Sequence, residues 1–243
     1  MDDFQRICLE GEENVRLFVV SFRPSPGEDD TSENVEALIS SLQLDYPHIP
    51  MNVIQTNATF ARALALELGA SQCADSDLML FIDVDMTFSS ASLDRIRLHT
   101  IKGHQVYYPI VFSEFDPYIS RKNTAGGYDH TVIDETVGYW RAFGFGIVSI
   151  YRSDLRMAGG LDTSILGWGR EDVDLFEKVL KSGIKVFRAA DPGLIHIFHH
   201  VDCDKNLEAS QYEMCQGTLY STYGAAPTLT KTILENPVIL DDT

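Results

Sequence analysis

The chain has 243 residues, enough for one large α/β domain or two small ones. With 44% hydrophobic and 23% charged residues it is not a disordered polymer, and no apolar run approaches the roughly 20 residues of a membrane span. The net charge of −17, from 36 acidic and 19 basic residues, argues against nucleic acid as a partner, because a phosphate backbone needs a basic face.

Val15 to Phe22 predicts a first strand, ended by the turn-rich Arg23-Pro24-Ser25-Pro26-Gly27. Asp30 and Glu33 have capping-box spacing, and Val35, Leu38, Ile39 and Leu42 follow at helical intervals. Met51 to Gln55 predicts a second strand, and Ala61, Leu64, Ala65 and Leu68 a second helix, stopped by Gly69. A third strand, Leu78 to Ile82, precedes a helix from about Ser90 to His99. Strands alternating with helices imply an α/β fold with a doubly wound, mostly parallel sheet flanked by helices.

The second half is less regular. Gln105 to Phe112 reads as extended, and Glu114 to Glu135, polar and containing Gly126-Gly127, as a long loop and candidate lid. Gly144 to Ile150 predicts a strand. Arg170 to Ser182 predicts a helix with Val173, Phe176, Val179 and Leu180 inward. Lys185 to Arg188 and Leu194 to Phe198 predict two short strands, and Ser210 to Tyr220 a last helix. With no repeat, low-complexity tract or linker, residues 1–243 are expected to form one domain. Its nucleotide-binding half would cover about 15–112 and its acceptor and metal half about 113–224. Met1-Asp2-Asp3 lacks the basic flank and apolar region of a secretory signal, so a secreted or tethered parent protein would make this chain an excised piece.

Three constellations carry chemistry. The apolar run Leu78-Met79-Leu80-Phe81-Ile82 ends in Asp83-Val84-Asp85. Ligands of parallel sheets bind beyond the carboxyl ends of strands, and carboxylates there can hold a divalent cation that holds phosphates. That combination points to a nucleotide-sugar enzyme. In Gly167-Trp168-Gly169-Arg170-Glu171-Asp172, glycines let the backbone turn tightly and present an indole that could stack on a sugar, or simply plug the core. Glu171 and Asp172 stand in the first turn of the next helix, where carboxylates either stabilise the helix dipole or serve as a general base. In His196-Ile197-Phe198-His199-His200, three of the seven histidines fall within five residues. A straight strand would point His196 and His199 to opposite faces, so both reach one metal only across a bend. Imidazole with carboxylate suits manganese or zinc better than calcium.

Of the four cysteines, Cys203 and Cys215 are near enough in sequence to bridge a C-terminal loop, and four free thiols are the alternative. No Cys-x-x-Cys pair exists to build a structural zinc site.

The motifs together resemble the β1,4-glycosyltransferase superfamily that contains the β4-galactosyltransferases and the chondroitin N-acetylgalactosaminyltransferases, and most closely the C-terminal N-acetylgalactosaminyltransferase domain of the chondroitin synthases. The matching stretches are FARALALE from Phe60, FIDVDMTF from Phe81, VYYPIVFSEFDP from Val106, GYWRAFGFGI from Gly138, GWGREDVDLFEKV from Gly167 and PGLIHIFHH from Pro192. The resemblance covers about Val15 to Gly224. It implies a GT-A fold and an inverting, manganese-dependent transfer of GalNAc from UDP-GalNAc to the 4-hydroxyl of a terminal glucuronic acid in chondroitin.

Carried over by position, the resemblance makes Asp85, His196 and His199 the metal ligands, with methionine at the His196 position in the galactosyltransferases. Asp172 would be the general base and Glu171 its neighbour in sugar binding. Asp83 would lie nearer the ribose, Trp168 on the sugars, and Phe22, Arg23 and Arg62 on uridine and phosphate. Gly144 stands where galactose-specific relatives carry a bulky aromatic, leaving room for an N-acetyl group, although strand packing alone could also require it. Arg121, Lys122, Arg141 and Arg170 are candidates to line a groove for the anionic acceptor. The resemblance further implies Golgi residence in a membrane-tethered protein, with another chondroitin synthase family subunit as a candidate partner. The rival readings are a galactosyltransferase of the same fold, a non-catalytic polymerising partner, and a metal-using carbohydrate-binding module.

Overall fold

The computed structural model describes residues 4–11, 13–23, 32–120, 129–167 and 169–235. Asp30 of the expected capping box, Gly126-Gly127, Arg121, Lys122 and Trp168 lie outside them. After a π-helical turn at Gln5–Leu9 come β1 (Leu17–Phe22), α1 (Ser32–Asp45), β2 (Met51–Thr56), α2 (Arg62–Ala70), β3 (Leu78–Phe81), β4 (Met86–Phe88), α3 (Ser90–His99) and β5 (Gln105–Glu114). Then follow α4 (Pro117–Ser120), β6 (Gly138–Trp140), β7 (Val148–Tyr151), α5 (Arg152–Ala158), α6 (Glu171–Lys181), β8 (Lys185–His196), α7 (Ala209–Ser221) and α8 (Ala226–Glu235). No helix among the described residues is long and apolar enough to cross a membrane.

The chain divides into two compact units, each assembled from separate stretches. The first comprises Met1–Ile82, Leu93–Tyr108 and Phe145–Phe187; the second comprises Asp83–Ser92, Pro109–Gly144 and Arg188–Thr243.

In the first unit β1 and β2 pair in parallel from Leu17 opposite Met51 to Phe22 opposite Thr56. Leu9, Ile39, Leu42, Ile49 and Met51 form one buried cluster there. β3 pairs antiparallel with β7, from Leu78 opposite Tyr151 to Phe81 opposite Val148. Met79, Phe81, Val106, Tyr108, Val148 and Ile150 bury one contiguous core with Ala63 of α2, Leu155 of α5, and Leu175 and Val179 of α6. Helix α6 turns Glu171, Leu175 and Val179 inward at i, i+4 spacing. Phe176 packs against that core as expected, whereas Leu180, expected inward, is 53% exposed.

In the second unit β4 pairs antiparallel with the end of β8, and the end of β5 pairs antiparallel with β6. A disulfide joins Cys203 to Cys215 of α7, which decides between the bridge and the free thiols, while Cys8 and Cys73 stay unpaired.

The α/β character follows the sequence reading, but the expectation of a mostly parallel sheet is corrected. The ladders β3–β7, β5–β7, β5–β6 and β4–β8 are antiparallel, while β1–β2 is parallel. Parallel neighbours need a crossover, and β1-α1-β2 supplies one. β3 instead runs through Asp83-Val84-Asp85 straight into β4, with no helix between. The two short strands expected after Lys185 are one twelve-residue strand. It survives Pro192-Gly193 because Pro192 is exposed and Asp191 Oδ1 accepts the Gly193 N–H at 3.0 Å. The strand expected from Gly144 starts only at Val148.

Candidate functional site

The candidate residues fall into two constellations, one in each unit. In the second unit, the β4–β8 ladder sets Met86 opposite His196, and Ile197 N–H donates to the Asp85 carbonyl at 2.9 Å. This register brings Asp85 beside the histidine segment. β8 ends at His196, so the backbone leaves the strand and the alternation that would send His199 to the other face no longer applies. Asp85 Oδ2 lies 3.4 Å from His196 Nε2 and 3.1 Å from His199 Nε2. One ligand atom from each of the three residues lies within 4.8 Å of the others.

Burial pushes the Asp85 carboxyl up, but its hydrogen bond from His196 and the nearby charges of His196 and His199 outweigh that and hold it below the usual range. Its Oδ1 is buried and accepts no hydrogen bond among the described residues. An ionised carboxylate with a buried, unmet oxygen beside two imidazole nitrogens fits a divalent transition metal. His199 Nδ1 donates to the His200 carbonyl at 3.0 Å, so in the neutral ring Nε2, on the side of Asp85, is the nitrogen free to ligate a metal. Asp83 ends the same apolar run, and Val84 between the two carboxylates is 99% exposed.

In the first unit, Arg62 opens α2 and reaches the start of α6. Its Nη1 meets Glu171 Oε1 at 3.2 Å and its Nη2 donates to the Gly146 carbonyl at 3.0 Å. Both side chains are largely buried. Burial raises the Glu171 carboxyl above the usual range, opposed mainly by the Arg62 charge. Glu171 Oε2 is buried without a hydrogen bond among the described residues. Asp172 Oδ2 accepts the Phe145 N–H at 3.3 Å, and Oδ1 accepts the Val173 N–H at 2.8 Å.

The loop before α6 is conformationally demanding. Gly167 and Gly169 have φ of 74° and 91°, and Arg170, the N-cap, has φ of 77°. Arg170 alone among the described non-glycine residues has positive φ. At the carboxyl end of β1, the Phe22 ring packs edge-on against Phe60 at 5.2 Å, and Arg23 donates to Gln55 Oε1 at 3.0 Å. Phe22 and Arg23 therefore sit at the end of β1, where α/β ligands bind, whereas Arg62 opens α2.

Sequence reasoning missed Ser113 and Glu114, the polar end of the otherwise apolar β5. Both are buried, at 0% and 4% exposure. Glu114 accepts from His130 Nδ1 at 2.9 Å and from the Phe198 N–H at 3.2 Å, inside the histidine segment. Two adjacent polar residues closing a strand of tyrosine, valine and phenylalanine are the signal that could have exposed them. Arg141, expected in an acceptor groove, donates to Ser113 Oγ at 3.0 Å.

The model of a family described as chondroitin N-acetylgalactosaminyltransferase matches residues 1–229. Chondroitin sulfate synthase 3 of Homo sapiens is 43% identical over 235 residues, which are 97% of this chain and 26% of that protein. Chondroitin sulfate N-acetylgalactosaminyltransferase 1 of Homo sapiens is 36% identical over 223 residues, covering 88% of this chain and 40% of that protein. The chain thus spans well under half the length of either relative. Among solved structures, the mannosyltransferase PcManGT of Pyrobaculum calidifontis, in complex with GDP-Man and Mn2+, matches with a TM-score of 0.50 at 11% identity. That match covers 88% of this chain and 66% of PcManGT, and it concerns the fold alone.

Proposed function

The chain belongs to the chondroitin N-acetylgalactosaminyltransferase family and has a GT-A glycosyltransferase fold, and from that premise we propose that it transfers GalNAc from UDP-GalNAc to the 4-hydroxyl of a terminal glucuronic acid in chondroitin. The observation that carries the reading is the convergence of Asp85, His196 and His199 around a buried carboxylate oxygen with no hydrogen-bond partner among the described residues. These three side chains would hold manganese. A manganese ion bound there would supply Lewis-acid neutralisation of the departing diphosphate.

Asp172 acts as the general base. Its carboxylate takes the proton of the acceptor hydroxyl as that oxygen bonds to the anomeric carbon. The bond from that carbon to the diphosphate oxygen breaks, and its electron pair leaves with UDP. Attack opposite the leaving group inverts the anomeric configuration. Two backbone N–H groups orient the base, and the ion pair with Arg62 fixes Glu171 beside it for sugar binding. Phe22, Arg23, Arg62 and Asp83 serve the nucleotide, and Gly144 and Trp168 the sugars. The proposal treats residues 1–243 as one glycosyltransferase domain of a longer, membrane-tethered Golgi protein, working beside another chondroitin synthase family subunit.

The test is UDP release from UDP-GalNAc, with and without manganese, using a chondroitin oligosaccharide that ends in glucuronic acid. Acceptor- and metal-dependent release, with the acceptor gaining one N-acetylhexosamine by mass, is expected. UDP binding without acceptor-dependent release would replace the proposal with a non-catalytic partner. Transfer from UDP-galactose in preference to UDP-GalNAc would make it a galactosyltransferase.

A further inference from the structure

Behind the His196 ring, within the second unit, stands a set of contacts that the proposed chemistry does not use. Ser113 Oγ lies 3.2 Å from His196 Nδ1, across the ring from the Nε2 that faces Asp85. Arg141 Nη2 donates to the same Oγ at 3.0 Å. The Arg141 backbone is anchored by its N–H to the Val111 carbonyl at 2.9 Å. The turn that follows is tied down by Arg188 Nη2, which donates to the carbonyls of Ala142 at 2.8 Å and Gly144 at 3.1 Å.

Gly144 bears directly on this arrangement. A Cβ added there would come within 2.7 Å of Arg141 Cδ and 2.9 Å of Cγ, closer than real side chains approach. Its φ is not in the left-handed region, so the need for glycine is set by space rather than by backbone conformation. The aliphatic stem of Arg141 occupies the volume that a side chain at 144 would take.

We propose that Arg141, seated on Gly144, is a positioning residue for the metal-binding group: it holds Ser113 Oγ, and Ser113 in turn orients the His196 ring toward Asp85. The inference rests on the metal reading above and deepens it. Guanidinium only donates, so Arg141 takes one lone pair of the hydroxyl. When His196 Nε2 gives its lone pair to a cation, Nδ1 carries the proton and donates to the remaining lone pair of Oγ. Without Arg141 the hydroxyl is free to rotate, and the ring loses the partner that fixes its plane. Gly144 accordingly has a role apart from donor choice: it leaves room for the arginine stem.

The test measures binding of manganese ion alone by calorimetry in Arg141→Met, which keeps the stem and deletes the guanidinium, and in Ser113→Ala, Gly144→Ala and the Arg141→Met/Ser113→Ala double variant. Asp85→Asn serves as the reference without the site. Each single variant is expected to weaken manganese binding about 10- to 100-fold, the range for loss of an outer-shell partner. The double variant should bind no more weakly than Ser113→Ala, because both act through one oxygen. Binding by Arg141→Met within twofold of wild type, or additive losses in the double variant, would overturn the relay.

Equal binding by wild type and Asp85→Asn would remove the metal assignment while leaving the relay to be judged from the ring itself. Nitrogen-15 spectra of labelled histidine supply that readout. Arg141→Met and Ser113→Ala should displace the His196 Nδ1 resonance in the same direction, and an unmoved resonance in both would overturn the proposal. Should Arg141→Met fail to fold, Gly144→Ala, which displaces the arginine stem, carries both measurements beside Ser113→Ala.

Discussion

Asp172 accepts one backbone N–H on each carboxylate oxygen, from Phe145 and from Val173, so its side chain is held in one orientation. The loop leading into it contains two glycines in the left-handed region and Arg170 in the same region, a costly conformation for a residue with a side chain. Strain of that kind persists where the surroundings over-determine it, and here it delivers Glu171 and Asp172 into the first turn of α6. Asp172→Asn keeps the size and shape of the side chain but cannot take a proton. Turnover is expected to fall on the order of 10²–10⁴-fold with UDP affinity retained. Single-turnover kinetics beside UDP titration checks this, and undiminished turnover would take the base assignment away from Asp172.

At the level of elements, the histidine segment is held at both ends. On one side the β4–β8 ladder sets the register of His196, and Glu114 accepts the N–H of Phe198. On the other side, the Cys203–Cys215 bridge fastens the following segment to α7, and Cys215 itself is buried. The bridge closes a sequence separation of 12 residues. Closing a loop of that length constrains the unfolded chain by about 3 kcal/mol on the chain-entropy model. Replacing both cysteines with serine should lower unfolding stability in urea by about 2–4 kcal/mol. An unchanged denaturation midpoint would mean that the bridge contributes nothing to stability.

For the whole molecule, the net charge opposes the acceptor proposed above. A chain with net charge −17 repels a polyanion at long range. Added salt screens that repulsion beyond a Debye length of about 8 Å at physiological ionic strength. If transfer to chondroitin is right, kcat/KM for a long acceptor should rise between about 0.01 and 0.15 M salt. A short oligosaccharide, with fewer charges, should respond less. A fall for the long acceptor would show that local arginines and lysines dominate the encounter.

The sequence alone determined what depends on neighbours along the chain. The periodicities of β1, α1, β2, α2, α3 and α6 placed those elements within a few residues, because apolar spacing reports which face of an element is buried. Asp85 was visible at the end of an apolar run, Asp172 at a predicted helix start and His196 in a histidine cluster. The tertiary structure decided how distant stretches meet. β3 passes directly into β4, which pairs antiparallel with β8, a matter of connection that hydrophobic spacing does not encode. Whether His196 and His199 share one side depended on where β8 leaves its ladder, which cross-strand hydrogen bonds set. Arg62 with Glu171, and Arg141 with Ser113, are contacts between residues far apart in sequence. A side chain's partners are fixed only when the folded backbone brings them within hydrogen-bonding distance.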